Sequence, residues 1–176
     1  MATLKLFVSS APAAFAFELP GKPEAQPRPG GSCRRYNPKK LLMLRARDKI
    51  AALAGPLSTH AGGDDFPLFP RPGHLAVELV FHMPRPRKHM LSTGRLLEEI
   101  RDRFHFAFPR PKVDVDNLAK FILDAMTGPV YWDDSQIVEL VILKMNDNEG
   151  SCEGRTEVKV TEIANMEQLT LFRNGH

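Results

Sequence analysis

Five residues carry most of the chemistry this sequence could perform: Asp114, Asp116, Lys120, Asp133 and Asp134. Asp114 and Asp116 stand two apart just before a helical stretch, so in extended geometry both side chains point the same way. A helix predicted over 117–126 is about 15 Å long, and an extended segment 127–134 reaches up to about 28 Å, so the chain has length enough to return to the helix start. If Asp133 and Asp134 do meet Asp114 and Asp116, several carboxylates share a small volume and repel one another unless a cation intervenes. Oxygen donors without His or Cys favour a hard ion, Mg²⁺ or Mn²⁺. Such an ion can produce a hydroxide nucleophile and neutralise the charge that builds on a phosphodiester under attack.

Lys120 follows Asp116 by four positions and precedes Asp124 by four, which puts all three on the helix face opposite Leu118, Phe121, Ile122 and Ala125. A lysine there can hold a scissile phosphate or steady a leaving oxygen. The same residues also have plain structural readings. Asp116 suits an N-cap, Asp114 the positive end of a helix dipole, Asp133 and Asp134 a turn, and Asp116–Lys120–Asp124 an ordinary surface ladder. On spacing alone the structural readings are the stronger.

The elements that would position these residues follow from periodicity. Residues 15–19 read as a strand ended by Pro20-Gly21, and a Pro- and Arg-containing loop follows through Arg28, Gly30, Gly31, Arg34 and Arg35. Pro38 opens a helical stretch with Leu42, Ala46, Ile50 and Leu53 on one stripe. Residues 55–73, rich in Gly, Pro and Asp, read as an exposed loop, and 74–83 as a second strand closed by Pro84-Arg85-Pro86-Arg87-Lys88. A polar helix is expected around 91–103, then the helix of 117–126, the Gly128-Pro129 break, and strands at 137–144 and 155–163. The order is β-α-β-(α)-α-β-β. It predicts one α+β domain with a small mixed or antiparallel sheet of about four strands and helices packed on it. Residues 1–14 stand as an N-terminal extension, 15–163 as the domain and 164–176 as a tail.

Bulk properties agree with a globular protein: 43% hydrophobic and 26% charged residues over 176 positions. No apolar run is long enough for a membrane helix. The opening residues, with only Lys5 ahead of a short apolar stretch, make a poor secretory signal. Cys33 and Cys152 lie in separate regions, in no metal-binding or disulfide pattern, so a reducing cytoplasm is the simpler setting. The net charge of +3 divides into +7 over residues 1–63 and −4 over the rest. A basic first third before an acidic remainder points to a polyanion contact beside carboxylate chemistry. A merely solvated basic surface fits the charge as well.

The stretch VDVDNLAKFILDAMTGPVYWDDSQIVELVILKM resembles the signature of the RusA-type Holliday-junction resolvases. In this sequence the signature is Asp114, Asp116-Asn117-Leu118, Lys120, Asp124-Ala125, Tyr131-Trp132 and Asp133-Asp134-Ser135-Gln136-Ile137-Val138. FELPGKP, Arg28 and Tyr36-Asn37-Pro38-Lys39 resemble the family's start, and the similarity covers roughly residues 15–163. The resemblance implies a homodimer in which each protomer cuts one of two opposed strands of branched DNA. It further implies Asp114, Asp116 and Asp134 as Mg²⁺ ligands, with Asp133 beside them, Mn²⁺ able to substitute, and Lys120 as the essential basic residue. Arg85, Arg87, Lys88, Arg110 and Lys112 would line the DNA surface, and Leu123, projecting from a polar helix face, is a candidate dimer contact. A structure-selective nuclease for other branched DNA would need the acids without a symmetric dimer. A non-catalytic DNA-binding protein would need only the basic surface.

The tail holds a second resemblance. Gln168-Leu169-Thr170-Leu171-Phe172 is similar to the short Gln-Leu-x-Leu-Phe peptide with which bacterial replication and repair proteins bind the sliding clamp. Leu169, Leu171 and Phe172 would be apolar anchors and Gln168 would set the register. This would imply a bacterial or phage setting. The alternative is that the segment packs back on its own sheet.

Overall fold

Alternating apolar and polar side chains build four strands: β1 (Ala14–Pro20), β2 (His74–Met83), β3 (Ile137–Asn146) and β4 (Arg155–Ile163). The computed structural model describes residues 14–26, 40–55, 67–69, 72–93, 95–98, 100, 113–149 and 152–163. Among the described residues, α1 (Lys40–Ala54) and α2 (Val115–Met126) accompany the strands. The strands form one sheet in the order β1-β4-β2-β3. β4 runs antiparallel to both β1 and β2, whereas β2 and β3 are parallel. The sheet is therefore mixed, and the domain is α+β as the element order predicts.

A parallel pair cannot be joined by a hairpin. The connection from β2 to β3 makes its crossover through α2, and this fixes where the motif residues lie. The inward residues of the strands (Phe15, Phe17, Val77, Leu79, Phe81, Val158, Val160) and the apolar stripes of both helices merge into a single core cluster. α2 contributes Leu118, Phe121, Ile122, Ala125 and Met126, each at most 4% exposed. α1 contributes Ile50 and Ala54, with Met43, Ala46 and Leu53 partly buried, while Leu42 of the expected stripe is exposed at the helix edge. The other sheet face is polar at its centre, where Lys159 Nζ meets Glu78 at 2.6 Å.

Three sequence expectations need correction. A helix does not begin at Leu91: Met90 and Leu96 pair across a tight antiparallel loop, and Leu97 N–H donates to the His89 carbonyl. Glu98 and Ile100 are helical, so any helix here starts several residues later. The loop 55–73 is not exposed throughout. Phe69 is 5% exposed, its N–H donates to the Val130 carbonyl, and it bridges to Tyr131, so an apolar residue inside a turn-rich stretch has joined the core. α2 begins two residues early, at Val115, which makes Asp114 rather than Asp116 the N-cap position, with no capping bond from its side chain.

Candidate active site

α2 carries the site because its two faces face different solvents. The core stripe pins one face, so Asp114, Asp116 and Lys120 are turned outward and all three are exposed. The segment after β1 lies along the helix: Gln26 N–H donates to the Asn117 carbonyl at 2.9 Å and Gln26 Nε2 to Asp124 at 2.7 Å. Asp124 is thus half-buried and engaged by this strap, and is less available than the sequence ladder suggests. At the amino end, Lys144 near the end of β3 donates to the Val113 carbonyl at 2.7 Å. The Asp114–Asp116 turn therefore sits by the carboxyl ends of the parallel strands β2 and β3, the edge at which open α/β sheets usually bind ligands. Exposed Arg87 and Lys88 follow β2 at that same edge.

Asp133 and Asp134 reach a different place. The chain does not use residues 127–134 to run back along the helix. Gly128, at φ +98°, closes a tight turn in which its N–H donates to the Tyr131 carbonyl. A Cβ at this position would collide with the Arg47 guanidinium. Tyr131 is fully buried and its hydroxyl donates to the Leu123 carbonyl at 2.9 Å, holding the segment by the last turns of α2. Burial, together with the nearby charges of Asp134, Asp124 and Asp133, pushes the Tyr131 hydroxyl well above the usual tyrosine range, against a lowering hydrogen bond with Thr127. Asp133 then caps a short 3-10 turn, Asp134–Gln136. Its carboxylate accepts from Ser135 N–H at 3.0 Å, and Gln136 Oε1 accepts from Trp132 N–H at 2.9 Å. β3 begins at the next residue, with Ile137 beside Leu75 near the start of β2. The two acidic pairs thus stand toward opposite ends of a helix about 18 Å long.

Among the described residues, no three His, Cys, Asp or Glu side chains stand close enough to hold a metal ion. The donors are nevertheless carboxylates only, two of them adjacent on an exposed turn. That chemistry suits Mg²⁺, which is commonly held by one or two carboxylates with water and phosphate completing its shell.

Two of the expected residues are engaged within the chain itself. Arg85 is 8% exposed: its Nε donates to Asn148 Oδ1 at 3.1 Å and its backbone N–H to the Cys152 carbonyl, so it fastens Asn148 and Cys152 to the end of β2. Burial lowers its pKa, partly offset by Cys152 and Asp147. Such a side chain serves to hold a loop. Leu123, expected to project from a polar face, is partly buried against the core. Arg110, Lys112 and the tail residues Gln168, Leu169, Leu171 and Phe172 lie outside the described residues. Sequence reasoning missed the Gln26 strap and the Lys144–Val113 contact, since neither side chain sits in the motif. It also gave no role to Trp132, whose place before the paired aspartates was its only signal.

The sequence profile of the endodeoxyribonuclease RusA family matches residues 20–161. The protein YqaN of Bacillus subtilis is 30% identical over 153 residues, 84% of this chain and 96% of its own length. The crossover junction endodeoxyribonuclease RusA of Escherichia coli K12 is 40% identical over 78 residues, 43% of this chain and 62% of that protein. Its counterpart from Enterobacteria phage 82 matches to the same extent.

Proposed function

The chain belongs to the endodeoxyribonuclease RusA family, and from that premise we propose that it is a metal-dependent endodeoxyribonuclease resolving four-way (Holliday) DNA junctions in recombination and repair. One observation carries this reading: the family's acid-x-acid and lysine positions, Asp114, Asp116 and Lys120, share the exposed face of a helix whose opposite face is locked into the core. Asp114 and Asp116 of one copy, completed by Asp134 of a second copy in the dimer described below, would hold the Mg²⁺ or Mn²⁺ ion. When bound, that ion supplies an activated water and a counter-charge for the phosphate. The protein's own residues do the rest. Lys120 places an ammonium one helical turn from Asp116, where it pairs with the scissile phosphate and steadies the leaving oxygen. Arg87 and Lys88 offset the repulsion between the acidic turn and DNA. In this reading Asp133 keeps its capping bond and orients the turn that carries Asp134.

Paired nicking needs two copies, and β3 supports a homodimer. It is the outer strand of the sheet among the described residues, and Val138, Leu140, Val141 and Leu143 are 41–49% exposed along it. Unpaired edges of this kind invite another strand. Antiparallel pairing of two copies through β3 would set the start of one β3 beside the end of the other. That would carry one copy's Asp133-Asp134 turn toward the other's Asp114–Asp116 turn. The clamp-like tail and a cytoplasmic bacterial or phage setting complete the proposal. No helix among the described residues is long and apolar enough to cross a membrane.

The decisive comparison is cleavage of four-way, three-way and linear duplex DNA with and without Mg²⁺. Metal-dependent, symmetric cutting of the four-way substrate is expected. Equal cutting of the three-way and four-way substrates, with the linear duplex left intact, would favour a less selective branched-DNA nuclease, and binding without cutting a DNA-binding protein.

A further inference from the structure

We infer that Trp132 is a stacking platform for a nucleobase exposed where DNA strands branch, set beside Asp133 and Asp134; the inference rests on the junction-cleaving function proposed above. Trp132 is the chain's sole tryptophan and is 45% exposed. The other aromatic side chains among the described residues, Phe15, Phe17, Phe69, Phe81, Phe121 and Tyr131, are at most 5% exposed. Tyr131 next to it is the ring that anchors the segment in the core, and Trp132 is the one that faces outward.

The indole is also held on a stiff base. On one side Tyr131 is tied to the Leu123 carbonyl. On the other, Gln136 Oε1 accepts from the Trp132 backbone N–H and Asp133 caps the following turn. A preorganised flat surface loses little entropy on meeting a flat ligand.

Its surroundings select the ligand. Of the residues that follow it, Asp134 and Ser135 are exposed and Asp133 is half-buried, so the turn that carries the ring also carries two carboxylates. The centre of a protein–protein interface is depleted of charge, which argues against a second protein as its occupant. Carboxylates also repel phosphate, so a nucleotide brought to this turn needs a hold that does not depend on charge. Stacking on a π-face is such a hold, and every base can use it without sequence preference. In a continuous duplex the bases are stacked on each other and present no face, whereas a branch point frees one.

The test uses the full-length protein in EDTA, so that the DNA stays uncut. Saturating four-way junction should quench most of the tryptophan emission, and a linear duplex of the same arm sequence should leave it nearly unchanged. Trp132→Ala should weaken junction binding by about 5- to 100-fold, and Trp132→Phe should stay within about threefold of wild type, because stacking survives in the smaller ring. Unchanged emission on saturated junction, or an alanine variant that folds and binds as wild type does, overturns the inference while leaving the resolvase reading intact. Emission that responds to protein dilution but not to DNA overturns it in favour of a contact between copies. If the wild type binds no junction, the resolvase reading fails and the stacking role falls with it. Should Trp132→Ala not fold, the wild-type emission decides the matter alone.

Discussion

An aspartate on the exposed first turn of a helix contributes little to the core, so Asp114 and Asp116 can be changed with the fold left standing, and Asp134 is equally exposed. Asp114→Asn, Asp116→Asn and Asp134→Asn should each bind junctions at least as well as wild type, because one repulsive charge is gone. Each should cut at least about 100-fold more slowly, since even groups that only support metal ligands cost about 10- to 100-fold. Single-turnover cleavage beside a binding titration checks both halves, and wild-type rates in any of the three would remove that residue from the site. Lys120 differs in kind. One surface lysine supplies a small part of a polyelectrolyte contact, so Lys120→Ala should lose cutting while keeping binding within a few-fold. A collapse of both would make it a docking residue.

Between elements, the same residue type serves opposite ends. Arg87 and Lys88 are exposed after β2, whereas Arg85, two positions earlier, is buried against loop 147–154. Arg85→Ala should lower stability by about 2 kcal/mol, the range for hydrogen bonds from a charged group, and leave the salt dependence of DNA binding alone. Arg87→Ala and Lys88→Ala should each reduce the slope of log K against log salt by about one and leave stability unchanged. Chemical denaturation and salt titrations separate the two classes. Arg155, the first residue of β4, is held as a cation against Asp147 and Glu149 of the same loop. Burial lowers its pKa, but Glu157, Asp147 and Glu149 raise it further, and the net shift is upward.

Tyr131 offers a pH test at the other end of α2. Below the ordinary tyrosine value of 10.0 both folded and unfolded chains keep the phenolic proton, and Tyr131 contributes no pH dependence. Above it the unfolded chain ionises while the folded one resists, so stability must fall as pH rises. Tyr131→Phe should cost about 1 kcal/mol at neutral pH through the lost bond to Leu123. Its stability gap from wild type should narrow above pH 10, as read by denaturation at stepped pH. A constant gap would contradict the burial of the hydroxyl.

At the scale of the whole molecule the question is how many copies act together. Light scattering at micromolar concentration should report a dimer. Leu143→Glu, on the exposed edge strand, should give a monomer with wild-type circular dichroism and lost junction cutting, because a buried unpaired charge at an interface costs several kcal/mol. A dimer that survives this change would place the interface elsewhere. The tail is expected to act separately. Leu171→Ala/Phe172→Ala should abolish capture by a bacterial sliding clamp and leave cleavage as it was. Loss of stability instead would make the tail part of the fold.

Periodicity alone located β2 and β4 to the residue, because a strand with one face in the core must alternate along its length. The amphipathic stripe of α2 was legible for the same reason, and the family motif named the acids and the lysine on it. Local pattern could not say which segments cross. Arg85 looks like one more cation in a basic run, and its burial depends on loop 147–154, some sixty residues away, folding over the end of β2. Leu123 looks exposed on a helical wheel but packs against the core. Chain length allowed Asp133 and Asp134 to rejoin Asp114 and Asp116. The tertiary structure decided otherwise, because burying Tyr131 and closing the turn at Gly128 hold them by the far end of α2. Sequence thus determined the elements and the chemistry on them, each set by neighbours within a turn or two. Only the packing of distant segments decided which charged groups remain available to DNA.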